Sequence, residues 1–243
     1  MPIRLKAFFV HLGGSSIIAL LVLLLVFRLW YPAPLHVAVG VTNIFLLLLL
    51  IDVILGPLLT LVVYKAGKKT LVFDLAVIAL LQLSALIYGL HAVADGRPAW
   101  LVFNTDRFDL VRVLDVDTRK LDQARPEFRQ PSWFGPRWAI AVPPDDAVAR
   151  TELLFETVQG GSDLPQRPEL YQPLADNRER VKERLHLLPA LQEYNSADEV
   201  NAAIGPWPEA DAWLPLMAGV PMVVLLHKET AEVVAVVDLR PWL

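Results

Sequence analysis

The sequence predicts a three-helix transmembrane N-terminal region followed by an α+β C-terminal extracytoplasmic domain. Three observations carry this. Apolar stretches at about 7–29, 35–64 and 71–94 are each long enough to cross a hydrocarbon core of about 30 Å at about 1.5 Å per residue. The remaining chain, 95–243, is polar and of a length that builds one domain with its own core. Charge divides at the same place: up to Ala94 there are 6 Lys+Arg against 2 Asp+Glu, and beyond it 16 against 24.

Arg4 and Lys6 before the first stretch resemble the start of a signal peptide. The apolar run exceeds the usual ~7–15 residues, however, and closes on Phe27-Arg28-Leu29-Trp30-Tyr31-Pro32 with no small-x-small site, so the segment is expected to be retained. Gly13-Gly14-Ser15-Ser16 gives it a small-residue patch suited to close packing. Lysine and arginine mark the cytoplasmic side. Arg4 and Lys6 flank the first span, Lys65, Lys68 and Lys69 fill the turn between the second and third, and only Arg28 lies near the other connection. The N-terminus is therefore expected in the cytoplasm and the polar domain outside, with Trp30, Tyr31 and Trp100 as an outer aromatic belt.

In the polar half, Leu101–Phe103 and Phe108–Leu114 read as strands around an Asn104–Arg107 turn. Prolines 126, 131, 136, 143 and 144 predict an ordered loop. Helices follow at 146–159, capped by Asp145 or Asp146 and stopped by Gly160-Gly161, and at 176–188 with an apolar face of Val181, Leu185 and Leu188. Ser196-Ala197-Asp198-Glu199 is a capping box for a short third helix. Met222–His227 and Val233–Asp238 form a closing hairpin.

An acidic polar half argues against a nucleic-acid partner. The lack of cysteine removes disulfides, thiolate catalysis and cysteine metal sites together. No Gly-x-Ser-x-Gly elbow, phosphate loop or His-x-x-x-His spacing occurs, so no enzyme, cofactor or metal is expected. The intramembrane polar residues are the candidates, because ionisable groups there are expensive. Asp52 and Gln82 fall at one depth and His11 and Asp74 at another, giving two level pairs. Such pairs hold spans together, dock a partner's helix, or conduct protons or solute. Pro57 after Gly56 frees the Val53 carbonyl and suggests a kink with a groove beside it. Outside the membrane, Asp106 and Arg107 form a turn pair or a functional pair, and Arg240 and Trp242 either pack the chain end or anchor a partner.

Ile51-Asp52-Val53-Ile54-Leu55-Gly56-Pro57-Leu58-Leu59-Thr60, Gly67-Lys68-Lys69 and Phe73-Asp74 through Gln82 resemble the TfpX/TfpZ family of type IV pilin accessory proteins. So do Phe103-Asn104-Thr105-Asp106-Arg107-Phe108 and Asp238-Leu239-Arg240-Pro241-Trp242. The family pattern has a glycine in the final hairpin, where this chain has Thr230-Ala231-Glu232. The resemblance implies a non-enzymatic protein of the bacterial inner membrane with a periplasmic domain. Its partner would be a cognate type IV major pilin, with other pilus assembly proteins and the lipid bilayer as further contacts. The chain is not expected to be a pilin itself, having three spans and no leader ending in glycine. Other classes consistent with the residues are a small transport or proton-coupled subunit using Asp52 and a structural subunit of the pilus machine.

Overall fold

The computed structural model describes residues 2–242; Met1 and Leu243, the outer limits of the two expected regions, lie outside it. It contains three long apolar helices near the N-terminus and a mixed helix and sheet domain after them. The first is α1 (Ile3–Leu24), which widens into a π-helical turn over Leu25–Trp30. A short α2 (Leu35–Val39) precedes the long α3 (Val41–Val63) and α4 (Leu71–Asp95). All three long helices have the length and composition to cross a membrane. The middle one, α3, packs along both α1 and α4.

The second apolar stretch is not one helix. Gly40 adopts φ 74°, a left-handed conformation that ends α2 and opens α3. Leu35 and Ala38 then turn away from the long apolar helices and are buried in the core of the domain beside Leu101, Phe103, Phe108, Leu214 and Met222. Hydropathy alone could not separate the two uses of apolar residues, since a protein core and a lipid core want the same side chains. The Val220 N–H donates to the Ala38 carbonyl at 2.8 Å, so the segment is hydrogen-bonded into the domain as well.

Only Gly96 and Arg97 separate α4 from the first strand, β1 (Pro98–Asn104), which turns back into β2 (Arg107–Arg112). The other strands are β3 (Arg137–Ala141), β4 (Tyr171–Gln172), β5 (His186–Leu187), β6 (Ala212–Met217), β7 (Met222–Leu226) and β8 (Val233–Val237). The sheet order is β4-β3-β1-β2-β6-β7-β8, with β5 paired to β6. The β1–β3 and β2–β6 pairs are parallel and the rest antiparallel. Alternation along β7 sends Met222, Val224 and Leu226 to the face that also buries Leu35 and Ala38, and Val223 and Leu225 to the other. The opposite face carries two clusters, one around Trp100, Phe128 and Tyr171 and one around Leu191, Val200 and Trp213.

Several expectations change here. The proline-rich stretch contains β3, which sits beside β1 because 137–141 is a proline-free run between Pro136 and Pro143. Pro215 lies inside β6, a strand the sequence did not reveal. It falls between the residues that pair with β5 (Ala212, Trp213) and those that pair with β2 (Leu216, Met217), where neither strand needs its missing N–H. The helix expected over 176–188 shrinks to α6 (Arg178–Lys182), because His186 and Leu187 gain sheet pairing with β6. Trp100 is fully buried core, not part of an aromatic belt, and Trp30 and Tyr31 are buried too. Elsewhere the sequence is followed closely: Asp146 caps α5 (Ala147–Val158) through Ala149, Ser196 and Glu199 cap α7 (Ala197–Ile204), and β7 and β8 close the chain.

Candidate functional site

The polar residues within the long apolar helices sort into two levels along α3. Gln82 on α4 donates from Nε2 to the Asp52 carbonyl at 2.9 Å, joining the two helices at the positions that counting along the sequence sets level. The contact depends on Gly56. A Cβ at that position would fall about 2.0 Å from the Gln82 amide nitrogen, so only glycine lets the amide cross between the helices. Gly89 plays the same part further along, against Leu48. The Gln82 Oε1 atom is buried and has no hydrogen-bond partner among the described residues. Pro57 is buried beside Gly56, and α3 continues as helix through both.

His11 and Asp74 do not meet. His11 Nδ1 lies 2.6 Å from Thr60 Oγ1, because α1 packs on α3 and α3 stands between it and α4. Asp74 is instead paired with Lys68 at 2.5 Å and accepts from Thr70 Oγ1, within the turn that starts α4. Depth along a span predicts level, not azimuth, and azimuth decides who touches whom. The Gly13-Gly14 patch likewise faces open space, while the close helix approaches are at Gly56 and Gly89.

Between α3 and α4 these residues line a groove of about 630 Å³. Its walls are Ile44, Leu47, Ile51, Leu55, Leu59, Ile78 and Leu81, with Asp52 and Gln82 as polar groups within them and Tyr88 near the end by the domain. An apolar cleft with a few convergent polar groups binds apolar segments and orients them through those groups.

A second groove, about 610 Å³, lies on the domain. It gathers Asp106, Arg107, His186, Glu193, Tyr194, Trp213, Pro215 and Trp242. Two stretches of sequence far apart, the β1–β2 turn and the chain end, therefore meet here. Arg107 does not pair with Asp106; it reaches Asp109 at 3.4 Å, because alternate residues of β2 share a face. Burial pushes the Asp109 carboxyl above its usual range, against the pull of Arg107. Arg240 stays outside the groove, two residues before Trp242. Its N–H donates to Asn195 Oδ1 at 2.7 Å and its guanidinium holds the Pro221 carbonyl and Asp238. His186 stacks on Trp213 at 4.9 Å. His186, Tyr194 and Trp213 escaped the sequence reading since no local pattern links them; β5 pairing with β6 brings the first and last together.

The family model described as "Fimbrial assembly protein FimB" matches residues 1–40, which covers α1 and the segment docked in the domain. The fimbrial assembly proteins of serogroups I and E1 of Dichelobacter nodosus are each 34% identical over 175 residues, 71% of this chain and 68% of theirs. The chain belongs to the fimbrial assembly protein family. A further member from the same organism, of serogroups C1 and C2, is 35% identical over 117 residues, 47% of this chain and 89% of its own. No solved structure matches the chain. The family match starts at the first helix and includes Leu35 and Ala38, the residues that bind helices and domain together.

Proposed function

We propose that this chain is a membrane-embedded, non-enzymatic assembly factor for type IV fimbriae that holds the pilin and supports its stability or its incorporation into the fibre. The relatives' names refer to fimbrial assembly. The resemblance to TfpX/TfpZ accessory proteins narrows the fibre to type IV and the partner to a cognate major pilin. The observation that carries the reading is the α3–α4 groove, apolar along its length and polar at Asp52 and Gln82, a form suited to an apolar helix. Asp74 has a weaker claim to a partner's charge, as Lys68 already neutralises it. The lysine turn argues for a cytoplasmic N-terminus, which puts the sheet domain and its second groove in the periplasm, beside a pilin's globular part.

The test is deletion of the gene, with sheared surface pilin and total cellular pilin compared by immunoblot. Loss of surface pilin alone assigns the protein to assembly or retraction, and loss of both assigns it to pilin stability. No change in either, with the cognate pilin expressed, rejects the proposal. Proton flux in vesicles that disappears with Asp52→Asn would then favour transport.

A further inference from the structure

Two large aromatic residues of the domain are left uncovered in an unusual place. Trp133 is 60% exposed and Phe134 80%, next to each other in the loop between Pro131 and Pro136. Their height is set by contacts to the ends of two membrane helices. The Trp133 ring lies 6.1 Å from that of Trp30, the last residue of the first long helix. Its other neighbour is Arg97, two residues beyond α4, whose guanidinium carbon stands 4.3 Å from the Trp133 centroid and 6.0 Å from that of Trp30. Gly135 faces the Leu29 carbonyl and the Pro32 ring, at φ 86°, so the loop backbone is pressed against the helix end.

Arg97 is only 5% exposed, and its Nη1 donates to the Ala94 carbonyl at 2.6 Å. It forms a fixed spine between the helix end and the loop, and a cation held on aromatic faces suits a site of low water content. The first long helix runs 28 residues and α4 25. At about 1.5 Å per residue both exceed a hydrocarbon core of about 30 Å, so their domain-side ends fall in the headgroup layer. Trp is enriched at that level, where an apolar ring body and a polar edge are both satisfied.

We propose that the Trp133–Phe134 loop is a membrane-interface anchor: it inserts into the headgroup layer of the same bilayer that the helices cross and fixes the domain's tilt upon it. Phe134 reaches towards the acyl boundary and Trp133 sits above it, braced by Arg97. This gives the domain a direct hold on the bilayer, besides its Gly96-Arg97 link to α4 and the α2 segment docked in its core. The proposal needs only that the three helices span a bilayer, and is independent of any role in fimbrial assembly.

The absence of cysteine makes single-site labelling clean. Phe134→Cys and Ala202→Cys each take an environment-sensitive fluorophore in the full chain, reconstituted in phosphatidylcholine–phosphatidylglycerol vesicles. Ala202 is exposed on α7, which packs against Leu188–Glu193; that segment lines the groove at the β1–β2 turn, the end of β1 away from α4, so Ala202 marks the far side of the domain. Nitroxide-bearing lipids are expected to quench the label at 134 severalfold more than the label at 202, and aqueous iodide to do the reverse. A label at 134 as open to iodide as that at 202 overturns the proposal. So does equal lipid quenching at both positions, since the domain would then touch the bilayer through another face.

Discussion

A single hydrogen atom at Gly56 decides whether Gln82 can reach across to Asp52. Gly56→Ala is therefore expected to push the Gln82 amide aside and destabilise the helix bundle by about 0.6 kcal/mol or more, the usual size of an interhelical polar contact in a membrane. In a Gln82→Ala background the same change should be nearly neutral, a coupling that thermal unfolding in detergent would measure. The aqueous domain has its own residue-level dependency. Asp117 is gripped by Arg119, whose Nη2 and Nε donate to it at 2.6 and 3.0 Å, and those bonds hold its carboxyl well below the usual range. Glu156 is lowered in the same way, first by Arg167 and then by Arg119. A lowered folded-state pKa adds stability above the unfolded pKa and loses it as pH falls through the folded one. The melting temperature should thus hold from neutral pH to about pH 5 and decline below it, and Asp117→Asn should flatten that decline while lowering stability at neutral pH. Much of this scale was legible in the sequence. The Asp52–Gln82 level follows from counting residues, and the unusual hairpin residue is where the family pattern has glycine: Ala231 takes φ 52° there. What counting could not give was azimuth, and so the His11–Asp74 pair dissolved into His11–Thr60 and Asp74–Lys68.

Elements were legible wherever local chemistry specified them and hidden wherever partners did. The caps at Asp146 and Ser196 and the β-branched runs of the closing hairpin need no distant neighbour to be recognised. β3 and β6 do: β3 pairs with β1 and β4, and β6 with β2 and β5 as well as with its neighbour β7, and each is disguised by proline, flanking the one and inside the other. The segment α2 is the plainest case, an apolar piece that reads as membrane and serves as core. Leu35 is 3% exposed within the domain cluster. Leu35→Ala should then cost about 2–5 kcal/mol, as large-to-small changes in a packed interior do. The loss should appear as faster proteolysis of the sheet domain, with the α1–α3 contact at His11–Thr60 intact. If Leu35 faced lipid, the same change would leave protease resistance of the domain unaltered.

At the scale of the molecule, helices and sheet are mutually incomplete. The largest apolar cluster of the domain takes Leu35 and Ala38 from before α3, and the Tyr31 hydroxyl donates to the Val93 carbonyl at 2.7 Å across the helix ends. A fragment of residues 95–243 should accordingly expose a patch of core, bind a hydrophobic dye and melt below the full chain in mild detergent. A well-ordered, dye-silent fragment would show that the segment is dispensable. The long apolar helices end at Asp95 and the strands begin at Pro98, close to the change in charge and hydropathy near Ala94. That change was blind to Leu35–Val39, where composition follows the helices and packing follows the domain. That arrangement also orders events in biogenesis. The Leu35–Val39 segment is synthesised well before the strands whose core it completes, and in a bilayer it comes within their reach only if α3 and α4, the helices that separate it from them, both cross. A chain in which one of the two fails to cross is left with an unfilled core and an exposed apolar face. Survival of the domain is thereby expected to depend on both crossings.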